Sequence, residues 1–302
     1  MRPTAAVDVG SNTVHLLVGI PHRRRGVEHV ESASALLELG REVERHGRIR
    51  DKIRSELRQV LRSHLKAARK AGARTVLIAA TKALREASNG RQTAAELSRV
   101  AGVSVHVLSP RAEARLTLLG SEPDLDPTAH QVLIDSGGAS TEVTLTAGRR
   151  PAAGASIPLG ASLLCAKLEG DPPGPLEWAG LALELGDALK TLPSAPRPVS
   201  AWAVGGTAHR IEELHGEGRG AAIGLPDLEA VARRLLRHTA RHIARATGID
   251  KKKITLVAAG ALILHSILGH YGLDRVHVGH RGLRDGMIAA FREIQGNWWR
   301  YT

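Results

Sequence analysis

Residues 5–20, AAVDVGSNTVHLLVGI, and residues 132–145, VLIDSGGASTEVTL, decide how this chain folds. In the first stretch Ala5–Val9 and Thr13–Ile20 read as strands, and Gly10-Ser11-Asn12 is a turn triplet between them, which predicts a hairpin. Asp8 stands at the mouth of that turn. In the second, the apolar strand Val132–Ile134 runs into Asp135, the turn Ser136-Gly137-Gly138-Ala139-Ser140 follows, and Thr141–Leu145 alternates again. Asp-x-Gly-x-x-Thr at Asp8 to Thr13 and Asp-x-Gly-x-x-x-Thr at Asp135 to Thr141, bracketed by strands in the same order, predict a duplicated domain. Two related α/β halves facing each other across a cleft are the expected architecture.

Outward from these turns, strands and helices alternate. Ile53, Leu57, Val60, Leu61, Leu65 and Ala68 recur at helical spacing, so residues 51–71 are predicted as an amphipathic helix, with Gly72 behind it and a basic outer face. Strand Thr75–Ala80, a short helix from Ala83, a helix Thr93–Val100, strand Val103–Leu108 and a helix ending at Leu116–Gly120 continue the α/β pattern. The polar stretch Ser121–His130 sets the boundary, giving domains 1–124 and 125–302, with the last helix, about 283–296, able to pack back on the first. Beyond Leu145 the spacing predicts helices at about 160–169, 176–190, 208–215, 227–247 and 259–270, strand Arg275–Val278, and a helix near 283–294.

The chain has 302 residues, 43% of them hydrophobic, which excludes disorder for its bulk. No window reads as about 18 uninterrupted apolar residues and the start lacks a secretory pattern, so the expectation is a cytoplasmic protein without a membrane span. Cys165 is the only cysteine, which leaves oxygen or histidine to hold any metal. Forty-two Lys and Arg against thirty Asp and Glu give +12 and point to an anionic partner, although a bias toward arginine and alanine accounts for the same totals. Only seven residues are Phe, Tyr or Trp, and three of these sit at Trp298, Trp299 and Tyr301. Base stacking, and so nucleic acid, is poorly supported; a phosphate chain needs only Arg, Lys and backbone N–H groups.

Turns rich in Gly, Ser and Thr can present backbone N–H groups to a phosphate. Gly10, Ser11, Asn12 and Thr13 form one candidate phosphate loop, and Gly137, Gly138, Ala139 and Ser140 a second. Gly205, Gly206 and Thr207, following the apolar Ala201–Val204 and opening a helix, form a third. Asp8 and Asp135 would hold Mg²⁺, or Mn²⁺, against phosphate oxygens.

AAVDVGSNTVHLLVG, ATKALREASN, LSPRAEARLTLLG, LIDSGGASTEVTL, IPLGA, AVGGTAHRI and AAGALIL…HRGLRDGM, in this order from residue 5 to residue 287, together resemble the exopolyphosphatase/guanosine pentaphosphate phosphatase family in its short two-domain type. The resemblance implies two ribonuclease-H-like domains of the acetate kinase/sugar kinase/Hsp70/actin superfamily around a central cleft. It also implies magnesium-assisted hydrolysis of a terminal phosphoanhydride. Glu113 matches the family's catalytic glutamate, which orients and deprotonates the attacking water. Glu142 matches the second active-site carboxylate, and Arg85 a cleft arginine able to clamp phosphate. The chain departs from the family at Ala139, where a third glycine is common, and around Glu113, where neighbouring carboxylates are replaced and Arg111 makes the field more positive.

The leading function is therefore an exopolyphosphatase releasing orthophosphate from inorganic polyphosphate. The alternatives are a phosphohydrolase of pppGpp and a catalytically weakened polyanion-binding protein. Four further features carry blander expectations: His238 and His242, at i and i+4, read as a solvated helix face, Cys165 as a small buried residue, and Lys251-Lys252-Lys253 as a solvated loop. Trp298-Trp299 is expected to cover apolar surface, with a homodimer contact as one setting.

Overall fold

The computed structural model describes residues 2–22, 26–194 and 198–301, and divides into two compact units, Met1–Asp124 with Arg281–Thr302, and Leu125–His280. The first unit contains β1 (Thr4–Val9), β2 (Thr13–His22), β3 (Gly26–Leu36), α1 (Leu39–His46), α2 (Asp51–Lys70), β4 (Thr75–Ala80), α3 (Lys82–Glu86), α4 (Gly90–Ala101), β5 (Val105–Val107) and α5 (Pro110–Ser121). The second contains β6 (His130–Ser136), β7 (Thr141–Ala147), β8 (Arg150–Ile157), α6 (Ala161–Ala166), α7 (Pro175–Leu189), β9 (Ser200–Val204), α8 (Gly205–His215), β10 (Ala222–Gly224), α9 (Leu225–Arg237), α10 (Ala240–Thr247), α11 (Lys251–Tyr271) and β11 (Arg275–Val278). The chain then re-enters the first unit with α12 (Leu283–Ile294) and a 3-10 turn, Gln295–Arg300. Residues 281–302 thus group with the first unit, the packing-back that the sequence division allows for the last helix.

The first sheet has the order β3-β2-β1-β4-β5, antiparallel from β3 to β1 and parallel from β1 to β5. The second runs β8-β7-β6-β9-β11 with the same directions, and adds the antiparallel edge strand β10. Both units therefore have the ribonuclease-H-like topology. The register also corrects the spacing inferred for the repeat. Asp8 pairs with His15 and Asp135 with Glu142, seven residues on in each case, and the turns close alike, by Gly10 N–H to Thr13 O (3.2 Å) and Gly137 N–H to Ser140 O (2.9 Å). Thr13 therefore matches Ser140, not Thr141, and His15 stands where the second unit has Glu142.

In unit 1 the sheet is covered on both faces. Leu16, Leu57, Leu61, Ile78 and Leu97 pack on one side, and Ala6, Leu17, Leu77, Leu116, Met287 and Ile288 on the other. The second layer is built by α5 and α12, which touch backbone to backbone. A Cβ on Gly286 would lie 1.7 Å from Leu116 O, and one on Gly120 would lie 2.0 Å from Gly282 O. Gly286→Ala is accordingly expected to destabilise unit 1 by about 3 kcal/mol, the upper end of ordinary overpacking, because backbone cannot rotate away as a side chain can. A thermal midpoint by circular dichroism within a degree of wild type would contradict that close approach.

Two helices differ from the sequence expectation. The predicted 227–247 helix is broken where His238 adopts extended backbone (φ −131°, ψ 142°) and Thr239 caps α10 through its Oγ1, which accepts from His242 N–H (3.2 Å). His238 and His242 are thus not on one continuous helix, and their rings stack 4.8 Å apart. The helix predicted from 259 begins at Lys251, and its segment Ile254–Tyr271 is long and apolar enough to cross a bilayer by length and composition. In this fold it is a core helix: Ile254, Val257, Ala261, Ile263, Leu264, Ile267 and Leu268 are buried in unit 2. Lys251 pairs with Asp171 (3.3 Å), while the side chains of Lys252 and Lys253 lie outside the described residues.

Candidate active site

Parallel strands end their carboxyl termini at one edge of a sheet, and loops leaving that edge are where α/β folds place ligands. In unit 1 the register brings Val9 beside Ala80 and Ala80 beside Val107, so the Gly10 turn, the segment into α3 and the segment into α5 leave side by side. Asp8, Arg85 and Glu113 ride on these three exits. Glu113 is in the first turn of α5, whose start is set by Pro110 and by Ser109, whose Oγ accepts from Ala112 N–H (3.2 Å). The Arg85 guanidinium lies 3.3 Å from Glu113 Oε2 and donates to Leu108 O (2.7 Å), so one arginine ties the head of α5 to the end of β5. Both side chains are largely buried, at 23% and 12% exposure, which leaves a positioned carboxylate with limited access to water.

Asp8 is the most perturbed acid here. Its Oδ1 is fully covered and has no hydrogen-bond partner. Burial pushes the carboxyl up to about 6, and the Arg284 guanidinium draws it back only in part. Arg284, from α12, also donates to Leu16 O (3.0 Å).

In unit 2 the corresponding edge carries Asp135, the Gly137–Ser140 turn, and the Gly205-Gly206-Thr207 opening of α8. Asp135 and Glu142 are direct cross-strand partners and so share one face of the sheet. Glu142 is buried and accepts from Ser156 Oγ (2.9 Å) on the neighbouring strand. Gly205 is at φ +89°, and a Cβ there would lie 2.9 Å from Asp135 Oδ1, so glycine is what lets α8 begin against this carboxylate. Gly10 and Gly137 spend their N–H groups closing the turns, while Gly137 O and Gly138 O accept from Ala161, Ser162 and Leu163 N–H at the start of α6. Gly160 permits that approach, because a Cβ there would lie 2.5 Å from Gly138 C. Ala139 is buried and does not have a positive φ, so replacing the family's glycine strains nothing.

A model of the Ppx/GppA phosphatase family matches residues 21–292. The chain belongs to the Ppx/GppA phosphatase family. Over 295 residues this Ppx/GppA phosphatase is 30% identical to exopolyphosphatase 1 of Mycobacterium leprae, covering 93% of this chain and 87% of that one. It is 29% identical over 296 residues to exopolyphosphatase 1 of Mycobacterium tuberculosis, covering 93% and 86%. Among solved structures, it is similar to the Aquifex aeolicus PPX-GPPA enzyme (TM-score 0.80, 22% identity, 96% of this chain and 99% of that one). It is also similar to an exopolyphosphatase from Cytophaga hutchinsonii (TM-score 0.84, 18% identity, 97% and 98%). At such identities the structural likeness speaks for the fold.

A hard divalent cation fits the oxygens present. Mg²⁺ keeps several waters and takes only one or two protein carboxylates beside phosphate oxygens, and among the described residues no three His, Cys, Asp or Glu side chains gather into a closed metal cage. The unsatisfied Asp8 Oδ1 is the atom such an ion would complete. Sequence reading assigns no role to Arg284, Ser156 or Asp285. Asp285 is buried and holds His29 Nε2 (2.6 Å) and Gly282 N–H (3.0 Å), fixing the start of α12. The signal for Arg284 and Asp285 is the motif HRGLRDGM; Ser156, in a run of small residues, has none. Cys165 is half-buried, its Sγ directed at Thr255 O (3.3 Å). Trp298 is buried against His106, and Trp299 stacks on the same ring at 3.6 Å, so this pair is used inside unit 1.

Proposed function

We propose that this phosphatase is an exopolyphosphatase, removing the terminal phosphoryl group of linear inorganic polyphosphate by attack of water. What supports the reading most is Glu113, a carboxylate held by Arg85 at the carboxyl edge of the sheet in the very motif where the family carries its catalytic glutamate. Phosphoryl transfer asks little covalent chemistry of a protein, only an in-line water, a base and cations on the oxygens. Glu113 takes the proton from water, Glu142 is the second carboxylate, and Arg85 orients Glu113 while presenting positive charge to the phosphate. Asp8 in unit 1 and Asp135 in unit 2 each offer carboxylate oxygens to Mg²⁺ or Mn²⁺, which would neutralise phosphate oxygens when bound.

The test is orthophosphate release from long polyphosphate, tripolyphosphate and pppGpp, each with Mg²⁺ and with excess chelator. Expected is metal-dependent release with long polyphosphate as the best substrate by kcat/KM. Preference for pppGpp would replace the substrate, and binding of polyphosphate without release from any of the three would replace hydrolysis by a binding role.

A further inference from the structure

The longest carboxylate-free stretch of unit 1 is on α2 and the residues after it. From Leu57 to Arg85 there is no Asp or Glu, and Arg58, Arg62, Lys66, Arg69, Lys70, Arg74, Lys82 and Arg85 are the charges in that span. The inner face of α2 is fixed: Leu57, Leu61, Leu65 and Ala68 are in the core, and buried His64 bonds Val14 O through Nε2 (3.1 Å). The outer face is therefore presented rigidly. Near the start of α2, Glu96 takes Arg54 (2.8 Å) and Arg58 (3.1 Å), which neutralises that end. Beyond it Arg62, Lys66, Arg69, Lys70 and Arg74 are all exposed, and among the described residues no ion pair holds any of them. Arg62, Lys66 and Arg69, at i, i+4 and i+7, form one stripe about 10 Å long at 1.5 Å per residue.

We propose that this stripe is an accessory binding track for linear polyphosphate, engaging the chain beyond the residues held at the catalytic edge. The inference rests on polyphosphate being the substrate and adds a site for its length. Placement supports it. Asn89, just after α3 with Arg85, makes two hydrogen bonds with Ile49 just before α2: its Oδ1 accepts from Ile49 N–H (3.0 Å) and its Nδ2 donates to Ile49 O (2.7 Å). The start of α2 is thereby tied to the segment carrying Arg85, and the stripe leads away from that end. Chemistry chooses the occupant. Residues 51–80 contain no Phe, Tyr or Trp on which a base could stack, and the exposed positions of α2 carry no large apolar residue to enter a lipid interface. A chain of phosphates without bases needs neither.

The test uses the full chain with Arg62→Gln, Lys66→Gln and Arg69→Gln combined, all exposed and none in the catalytic machinery. Equilibrium binding of long-chain polyphosphate and of a single-stranded oligonucleotide is measured across a salt series, alongside turnover of long polyphosphate and tripolyphosphate. By analogy with single-stranded nucleic acids, each lost contact removes about 0.7 from the salt slope, so the triple variant should lose about two. KM for long chains should rise about tenfold, with kcat for tripolyphosphate unchanged. An unchanged slope and KM for long chains overturns the track while leaving the exopolyphosphatase reading intact. Binding with a slope lost in the variant, but no phosphate release by the wild type, keeps the track and overturns that reading. Tighter wild-type binding of the oligonucleotide than of polyphosphate overturns the choice of occupant.

Discussion

Glu113→Gln is expected to lower turnover of polyphosphate by about 10²–10⁴, the usual contribution of a general base, while leaving polyphosphate binding as tight as before or tighter. Glutamine preserves size and can still meet Arg85, but it cannot accept the proton of the attacking water. Arg85 keeps its bond to Leu108 O, so the head of α5 should stay in place and the thermal midpoint should move little. Removing one negative charge from beside an anionic ligand favours binding. Single-turnover phosphate release measured against equilibrium binding separates the two effects. Glu142→Gln is the matched control: full loss there, with near-normal turnover in Glu113→Gln, would transfer the base to Glu142.

The second large effect is expected at Asp8, where stability and activity should move in opposite directions. Its carboxyl is raised from 3.8 to about 6. A folded-state value above the unfolded one means that this residue's contribution is fully present below pH 4 and is lost as pH rises through 6. Asp8→Asn has no such titration. In excess chelator its unfolding free energy should therefore equal wild type near pH 4, apart from a constant offset, and exceed it increasingly toward pH 7. The gain is up to about 3 kcal/mol for a shift of roughly two units. The same variant should lose most metal-dependent phosphate release. Parallel stability profiles from pH 4 to 7 would show that the buried Oδ1 is not the strained atom the geometry makes it.

Most of the first sheet was legible because its strands are buried on one or both faces. β4 is found at Thr75–Ala80 as its apolar run predicts, and α2 follows its heptad-like apolar positions. What escaped was structure without that signature. β3 is an edge strand whose residues are mostly exposed, with Val27 its only buried one, so its sequence shows no alternation. β8 is built from small residues, and α1 starts at Glu38 in the left-handed region, which no spacing rule marks. At the candidate site, Asp8, Glu113, Asp135 and Glu142 were legible as candidates because each sits beside a turn or cap with a compositional signal. Composition does not tell which N–H groups a glycine turn spends on itself, because that depends on its closure. The motif HRGLRDGM marks Arg284 and Asp285, but not what they hold, because their partners, Leu16 and His29, are more than 250 residues away in sequence.

The return of α12 to the first sheet has a consequence for how the protein is made. Residues 125–280 are contiguous and can complete their own core as soon as they leave the ribosome. Unit 1, although synthesised first, has only the α5 part of one of its two covering layers until residues 283–294 have emerged, because Met287 and Ile288 complete that layer and Gly286 seats against Leu116. The usual order, in which an amino-terminal domain folds ahead of its successor, is thereby reversed. Until the last helix arrives, Leu17, Leu77 and Leu116 remain a surface that chaperones can bind, and translation halted before Leu283 yields a complete second unit attached to a first that cannot close.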